Sequence, residues 1–513
     1  MTRKTLAALS AYLLVLLTAC STLPPRPPMS AAYAAPPAAD GVLAQHLAPA
    51  EARHAGKSGF RLLSNGTEAY ASRMFSAQVA ARSLDIQTYI WHADMTGKML
   101  AQRALAAADR GVQVRILVDD MDARAKNAGF AALDAHPRIE VRVFNPFASR
   151  SGTLSRIGEL GTGFRRLNHR MHNKSWIADN RIALVGGRNL GDEYFGASEN
   201  SNFVDLDVLM AGPVVREVSA SFDRFWNAPS NYPIDALNAG PATPEALAQV
   251  RAVLEATPAE LAASPYAQVL REDADVQRLI IGDTALHWTR EWTFVSDDPL
   301  KLDDEHEPLQ RSAVLATLLP AIRGTRQTLG VISPYFVPGR KGTDDLLAAA
   351  RGGVDVRVLT NSLAATDVAA VHGGYARYRD ELLAGGVQLW ELKPDGTASS
   401  SFSLRGSSGS SLHTKALVID QHRAFVGSYN LDPRSTALNT EQGVLITDPR
   451  LAQELTRIFE ERLQGQHAWH VQRVDGRLRW SDGSQTWTHD PQASTSRRVQ
   501  AWLTKLLPVE SQL

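Results

Sequence analysis

Disulfides within the chain are excluded from the start, because Cys20 is the only cysteine among 513 residues. An excess of either charge is missing too. The 54 basic residues face 54 acidic ones, so no overall field draws the chain to nucleic acid, although a local basic cleft stays allowed. Beyond residue 19 there is no run of 18 or more uninterrupted apolar residues. That excludes a spanning helix of the usual kind and predicts a water-soluble remainder.

The N-terminus carries the first positive signal. Arg3 and Lys4 precede an apolar run from Leu6 to Ala19, too short to span a bilayer but of the length of a signal-peptide core. Leu17-Thr18-Ala19-Cys20 resembles the bacterial lipobox, in which the cysteine is lipidated and becomes the first residue of the mature protein. Ser21 resembles the outer-membrane sorting signal more than the inner-membrane retention signal. The expectation is a signal peptide over 1–19 and a lipoprotein anchored in the cell envelope through Cys20, on the periplasmic side of the outer membrane. Residues 20–56 begin STLPPRPPMSAAYAAPPAAD after the cysteine, a Pro/Ala-rich stretch that reads as a semi-extended tether unable to fold by itself.

The rest of the chain repeats itself. MHNKSWIADNRIALVGGRN at 171–189 returns as LHTKALVIDQHRAFVGSYN at 412–430, every position offset by 241 with no gap. His172, Lys174, Asp179 and Asn189 thereby match His413, Lys415, Asp420 and Asn430. Around them, SLDIQTYIWHAD at 83–94 has the character of TLGVISPYFVPG at 328–339. RGVQVRILVDD at 110–120 matches RGGVDVRVLTNS at 351–362, each a helix ending at glycine followed by a β-branched run. IEVRVF and VQLWEL follow as short strands, and FVDLDVLMAGP at 203–213 matches NTEQGVLITDP at 439–449. Strand and helix alternate in the same order twice, which predicts two α/β sandwich lobes, at 57–232 and 307–513. Residues 233–306, with helical stretches and the acidic LDDEHEPL, read as an insertion or connection. RRVQAWLTKLLPVES predicts a terminal amphipathic helix whose apolar face packs on the core.

A histidine and a lysine two residues apart in extended backbone share a face. One such pair with a nearby asparagine amide suits a tetrahedral oxyanion. Two sets facing each other suit a phosphodiester, whose cleavage without metal needs a nucleophile, a proton donor for the leaving oxygen, and cations or amides for the phosphoryl oxygens. A single histidine cannot attack and donate in one step; two copies supply one for each task. His-x-Lys is a poor metal-ligand set, since the ammonium repels cations and no cysteine or grouped carboxylates accompany it. No metal or other cofactor is called for.

The two HxKx₄D motifs resemble those of the phospholipase D superfamily over roughly residues 57–513. SPYFVPG, NLDPRS and the ending LLPVESQL resemble the C-type branch of the bacterial cardiolipin synthases. The resemblance implies two α/β/α lobes related by a pseudo-twofold, with the active site at their interface, in a monomer. It also implies a phosphohistidine intermediate, with His172 as nucleophile and His413 as acid and then base. Lys174, Lys415, Asn189 and Asn430 would hold phosphoryl oxygens. Asp205 and Glu441 would orient the histidine of the opposite lobe, and Ser428 would add a hydrogen bond that Gly187, its counterpart, cannot. Asp179 and Asp420 belong to the motif but read as structural ion-pair partners. Arg434 and Tyr335 are weaker pocket candidates. The implied activity is phosphatidyl transfer making cardiolipin from phosphatidylglycerol and a second phospholipid such as phosphatidylethanolamine. The alternatives are hydrolysis to phosphatidic acid and, less favoured by the neutral charge, cleavage of nucleic acid.

Overall fold

The repeated strands build two sheets of matching order. In the first, Ile139–Phe144, Gln113–Asp119 and Ser83–Thr88 run parallel, and Ser175–Ala178, Ile182–Gly186 and Asp207–Ala211 continue it antiparallel. In the second, Gln388–Leu392, Asp355–Asn361, Thr328–Ile332, Ala416–Ile419, Arg423–Gly427 and Gln442–Thr447 repeat that order and those directions. This computed structural model describes residues 23–123, 127–148, 159, 166–237, 239–280, 285–301, 312–394, 410–506 and 510–512. The expected signal peptide, Cys20 and the acidic run at 302–309 lie outside them.

Most of the inner strands are buried along nearly their whole length, which is why they read as continuous Val/Ile/Leu runs and not as alternating ones. The helices Met95–Asp109 and Gly339–Arg351 each lead into a parallel strand. Gly111 (φ 96°) and Gly353 (φ 89°) take the left-handed conformation that ends the helix. Between the sheets lie the helices Pro213–Trp226 and Pro449–Leu463. Val214, Val218, Phe222 and Phe225 of one, with Leu451, Leu455 and Phe459 of the other, join strand residues of both lobes in one buried cluster. Each large side chain there contributes about 2–3 kcal/mol of burial, so the lobes share a core and do not merely touch.

Four readings of the sequence need correction. The Pro/Ala-rich segment is extended but not free. Arg26 donates to the Asn231 carbonyl (2.7 Å), while Ala32 N and Ala34 N donate to the side chains of Asn227 and Asp223 on the first lobe. Residues Val42–Arg53 then form a helix that buries Leu43 and Ala44. Proline denies this stretch backbone donors, yet the lobe accepts the amides of Ala32 and Ala34 through side chains and that of Ala38 through the Asp179 carbonyl. The segment 233–306 is more than a connection. Its helices place Leu254, Tyr266 and Val269 in the first lobe's core, and its strands His287–Thr289 and Trp292–Ser296 add an edge to one sheet each.

Asp179 and Asp420 form no ion pair among the described residues. Each opens a three-residue hairpin loop whose first two residues lie in the left-handed region: Asp179 and Asn180 at 55° and 50°, Asp420 and Gln421 at 52° and 51°. The Asp179 carboxylate accepts the backbone amides of Ala81, Arg82 and Ser83, and that of Asp420 accepts those of Arg326, Gln327 and Thr328. They sit at the far end of the cassette strand, about 20 Å of extended chain from the histidines. Lastly, the terminal helix Thr495–Leu506 forms, but its apolar stripe faces outward.

Truncating Phe459 (1 % exposed) to alanine is expected to cost about 3–5 kcal/mol. Because the core is common to both lobes, denaturant melts followed by probes in each lobe should shift together. Separate transitions would show that the lobes unfold independently.

Candidate active site

Two short parallel strand pairs stitch the lobes together, and the site is built on them. Arg170–Met171 pairs with Asn439–Thr440, and Ser410–Leu412 pairs with Asn202–Val204. The next amide continues each pairing: His172 N donates to the Thr440 carbonyl (3.0 Å) and His413 N to the Val204 carbonyl (2.8 Å). This register sets each histidine beside a carboxylate of the other lobe. His172 Nδ1 lies 2.9 Å from Glu441 Oε2, and His413 Nδ1 lies 2.6 Å from Asp205 Oδ2. Among the described residues, neither Nε2 has a protein hydrogen-bond partner, so both rings are fixed through one nitrogen and offer the other.

The halves act on each other electrostatically. Burial pushes the His172 imidazole well below its usual value, and the ammonium groups of Lys174 and Lys415 and the His413 ring push it further. His413 is also lowered, by burial and Lys415, with Asp205 opposing. Burial brings Lys174 down to about 7 and Lys415 to about 8, while the opposing carboxylates Glu441 and Asp205 resist. Each lysine donates to the carbonyl of its own histidine, Lys174 at 2.7 Å. Two crowded ammonium groups with depressed pKa values and, among the described residues, no carboxylate within ion-pair distance are what an anion would relieve.

The two half-sites differ in detail. Glu441, pushed up to about 7 by burial, is held by the Ser428 hydroxyl, which in turn accepts the Gln442 amide (3.0 Å). Ser428 therefore serves the carboxylate and is not aimed at a substrate. Its counterpart Gly187 has no room for a side chain, because a Cβ there would collide with the Asp205 carboxylate. For Asp205, burial is outweighed by His413 and Lys415, and its pKa falls below the usual range. Asn189 donates to the Tyr194 hydroxyl (2.9 Å) and accepts the Ile90 amide, whereas the buried Asn430 Oδ1 lacks a partner among the described residues.

Arg434 reaches across the lobes to the side chain and carbonyl of Asn168, and its charge is felt by His172. Tyr335 donates to Asp367 (2.6 Å). His92 sits against Glu193 (2.9 Å), and His422 is exposed on the hairpin turn.

Sequence comparison of the halves missed the aromatic walls. The Tyr89 ring meets His172 edge-on (5.2 Å between centroids), and Tyr194 and Phe203 flank His413 at 5.4 and 5.0 Å. In the gapless alignment Tyr194 corresponds to Ser435, and Arg434 to Glu193. A search for repeated residues passes over positions where the copies differ. The Asp297–Lys301 pair was also missed: Asp297 accepts the Glu441 amide, and Lys301 donates to the carbonyls of Ser435 and Asn439.

Crossed histidine–carboxylate pairs on a pseudo-twofold define a phospholipase D-type centre. The family described as "Cardiolipin synthase, PLD-like domain" matches residues 72–226 and 318–463. Cardiolipin synthase C of Escherichia coli is 41 % identical over 480 residues, covering 91 % of this chain and 99 % of that protein. An uncharacterised protein of Helicobacter pylori is 32 % identical over 82 % of each chain. Among solved structures, phosphatidylserine synthase of Haemophilus influenzae superimposes with a TM-score of 0.56 at 13 % identity, covering 91 % of this chain and all of that one, which supports the fold. The chain belongs to the phospholipase D-like cardiolipin synthase family.

Gly187→Ala should displace Asp205 and lower activity at least about 10²-fold while leaving the fold intact by circular dichroism. Wild-type turnover in that variant would refute the crowding. Inorganic phosphate bound at pH 8 should draw about one proton onto the lysines, because an anion raises the pKa of an ammonium that sits near 7–8. Calorimetry in buffers of different ionisation enthalpy reads that uptake; enthalpies independent of buffer would contradict it.

Proposed function

We propose that this chain is a phosphatidyltransferase that makes cardiolipin through a phosphohistidine. The observation that carries the reading is the pair of unpartnered Nε2 atoms, each on a ring fixed by a carboxylate from the other lobe. Neutral His172 attacks the phosphorus of a phospholipid through Nε2. The bond to the headgroup oxygen breaks, and His413 delivers a proton to that oxygen, so the alcohol leaves uncharged. His413 Nε2 then takes the proton of an acceptor hydroxyl, whose oxygen attacks phosphorus and releases His172. Lys174, Lys415, Asn189 and Asn430 hold the phosphoryl oxygens through both steps.

The asymmetry supports this division of labour. Asp205, held ionised, favours an imidazolium on His413, the proton carrier. His172, opposite a carboxyl raised to about 7 and beneath two cations, keeps its lone pair. Asp179 and Asp420 position the hairpins and carry no proton.

A lipid substrate is supported by an apolar cavity of about 320 Å³ lined by Leu315, Leu318, Ile322, Val337, Leu346 and Leu431, the last next to Asn430. Among the described residues no helix is long and apolar enough to cross a membrane; a lipid on Cys20 at the periplasmic face of the outer membrane would tether the site near the bilayer. Phosphatidylglycerol serves as acceptor, with phosphatidylglycerol or phosphatidylethanolamine as donor. One chain supplies both half-sites, which fits a monomer.

Purified protein given phosphatidylglycerol vesicles, with and without phosphatidylethanolamine, should yield cardiolipin. His172→Ala should lower the rate at least about 10³-fold. Phosphatidic acid as the sole product would assign hydrolysis instead, and a fully active His172→Ala would reject the nucleophile.

A further inference from the structure

Ten large hydrophobic residues are exposed among the described residues, and four of them lie on one twelve-residue helix, Thr495–Leu506. Val499, Trp502, Leu503 and Leu506 are 49, 60, 47 and 63 % exposed. Their spacing of three, four and seven places them on a single stripe. Ala501 and Thr504, at 7 and 9 %, lie on the opposite face and pack on the helix Ala369–Tyr375, where Gly373 lets the Ala501 carbonyl come close. An ordinary surface helix turns its apolar stripe inward; this one is seated by its small residues and turns the stripe out. The helix also carries Arg497, Arg498 and Lys505 and no acidic residue.

Its position ties it to the catalytic cleft. Arg497 donates to the carbonyls of Leu363 (3.1 Å) and Thr366, one residue from Asp367, which accepts from Tyr335 and whose charge reaches Lys415. Past the helix, Glu510 accepts from Tyr378, and Gln512 accepts from Asn168, the residue that Arg434 holds. Helix and site therefore share the same loops.

We propose that Thr495–Leu506 is an interfacial helix that lays Val499, Trp502, Leu503 and Leu506 into an anionic lipid surface and so aims the active site at the bilayer. Leu, Val and Trp outward beside the exposed Lys505, on a helix without an acidic residue, is the composition that enters the headgroup–acyl boundary. The contact is separate from any lipid on Cys20: an anchor restrains distance, whereas this helix would fix orientation. The link to catalysis rests on the phosphatidyl-transfer reading; the docking itself does not.

The test uses the full chain carrying Cys20→Ser with Leu503→Cys, labelled by an environment-sensitive dye, and the chain carrying Cys20→Ser with Val474→Cys, a position 45 % exposed on the hairpin of Ala468–Val474 and Arg477–Ser481. On vesicles of phosphatidylglycerol and phosphatidylethanolamine, the dye at 503 should shift to the blue and be quenched by acyl-chain spin labels, while the dye at 474 stays water-like. A water-like dye at 503 on vesicle-bound protein would overturn the proposal. So would a blue shift that grows with protein concentration in the absence of lipid, which would assign the face to a second copy. Replacing all four stripe residues by serine should lower turnover on vesicles at least about tenfold while leaving turnover of a monomeric short-chain phospholipid within about twofold; equal loss on both would refute the link to catalysis. If no lipid product forms at all, the transfer reading fails, and the dye still reports on docking.

Discussion

Two backbone hydrogen bonds, His172 to Thr440 and His413 to Val204, decide where everything else in the cleft must go. Each ends a short parallel pairing between lobes, and each fixes the register in which a histidine meets a carboxylate from the other half. A slip of one residue would turn the imidazole away from its partner, since successive side chains in extended backbone point to opposite sides. The shared core of the two central helices holds that register, because strand pairs of two and three residues are too short to do so alone. Packing far from the phosphate site and chemistry at it are thus parts of one constraint.

Buried charge is the other organising cost. Two lysines, two histidines and two carboxylates are withdrawn from water within one interface, and burial is the first cause of the shift in all of them but Asp205, where the charges of His413 and Lys415 outweigh it. The protein meets this cost with partners of graded strength. Asp205 remains ionised against His413, while Glu441 depends on the Ser428 hydroxyl and on an amide held in place through Asp297 and Lys301. The cleft is left with an unsatisfied preference for a tetrahedral anion, which is the electrostatic form of complementarity to a phosphodiester.

Much of this was legible in the sequence because it is repeated. The offset of 241 exposed the cassettes, the strand runs around them exposed the lobes, and the family resemblance, carried onto the FVDLDV/NTEQGV correspondence, pointed to the two carboxylates. The misses have physical causes. Asp179 and Asp420 share a motif with the histidines, yet a strand carries them to its far end, so adjacency in a pattern did not mean adjacency in space. Tyr194 stands where the copies differ, and no symmetry points to it. The proline-rich segment lacked the composition to fold alone; it is ordered by side chains of the first lobe, which local sequence does not reveal. The outward stripe of the last helix was read inward because periodicity reports that a helix has two faces and is silent on which one is covered.

A homodimer built on the same crossed pairing would be bound by its own symmetry, with any change near one imidazole appearing equally near the other. Covalent fusion of the two lobes removes that bond. Glycine can stand at 187 while serine stands at 428, and a glutamate at 193 can pair with His92 while an arginine at 434 holds Asn168 across the lobes. Joining the lobes in one polypeptide thus gives mutation separate access to each ring, so that attack and proton delivery can be refined independently in a centre whose outline is still twofold.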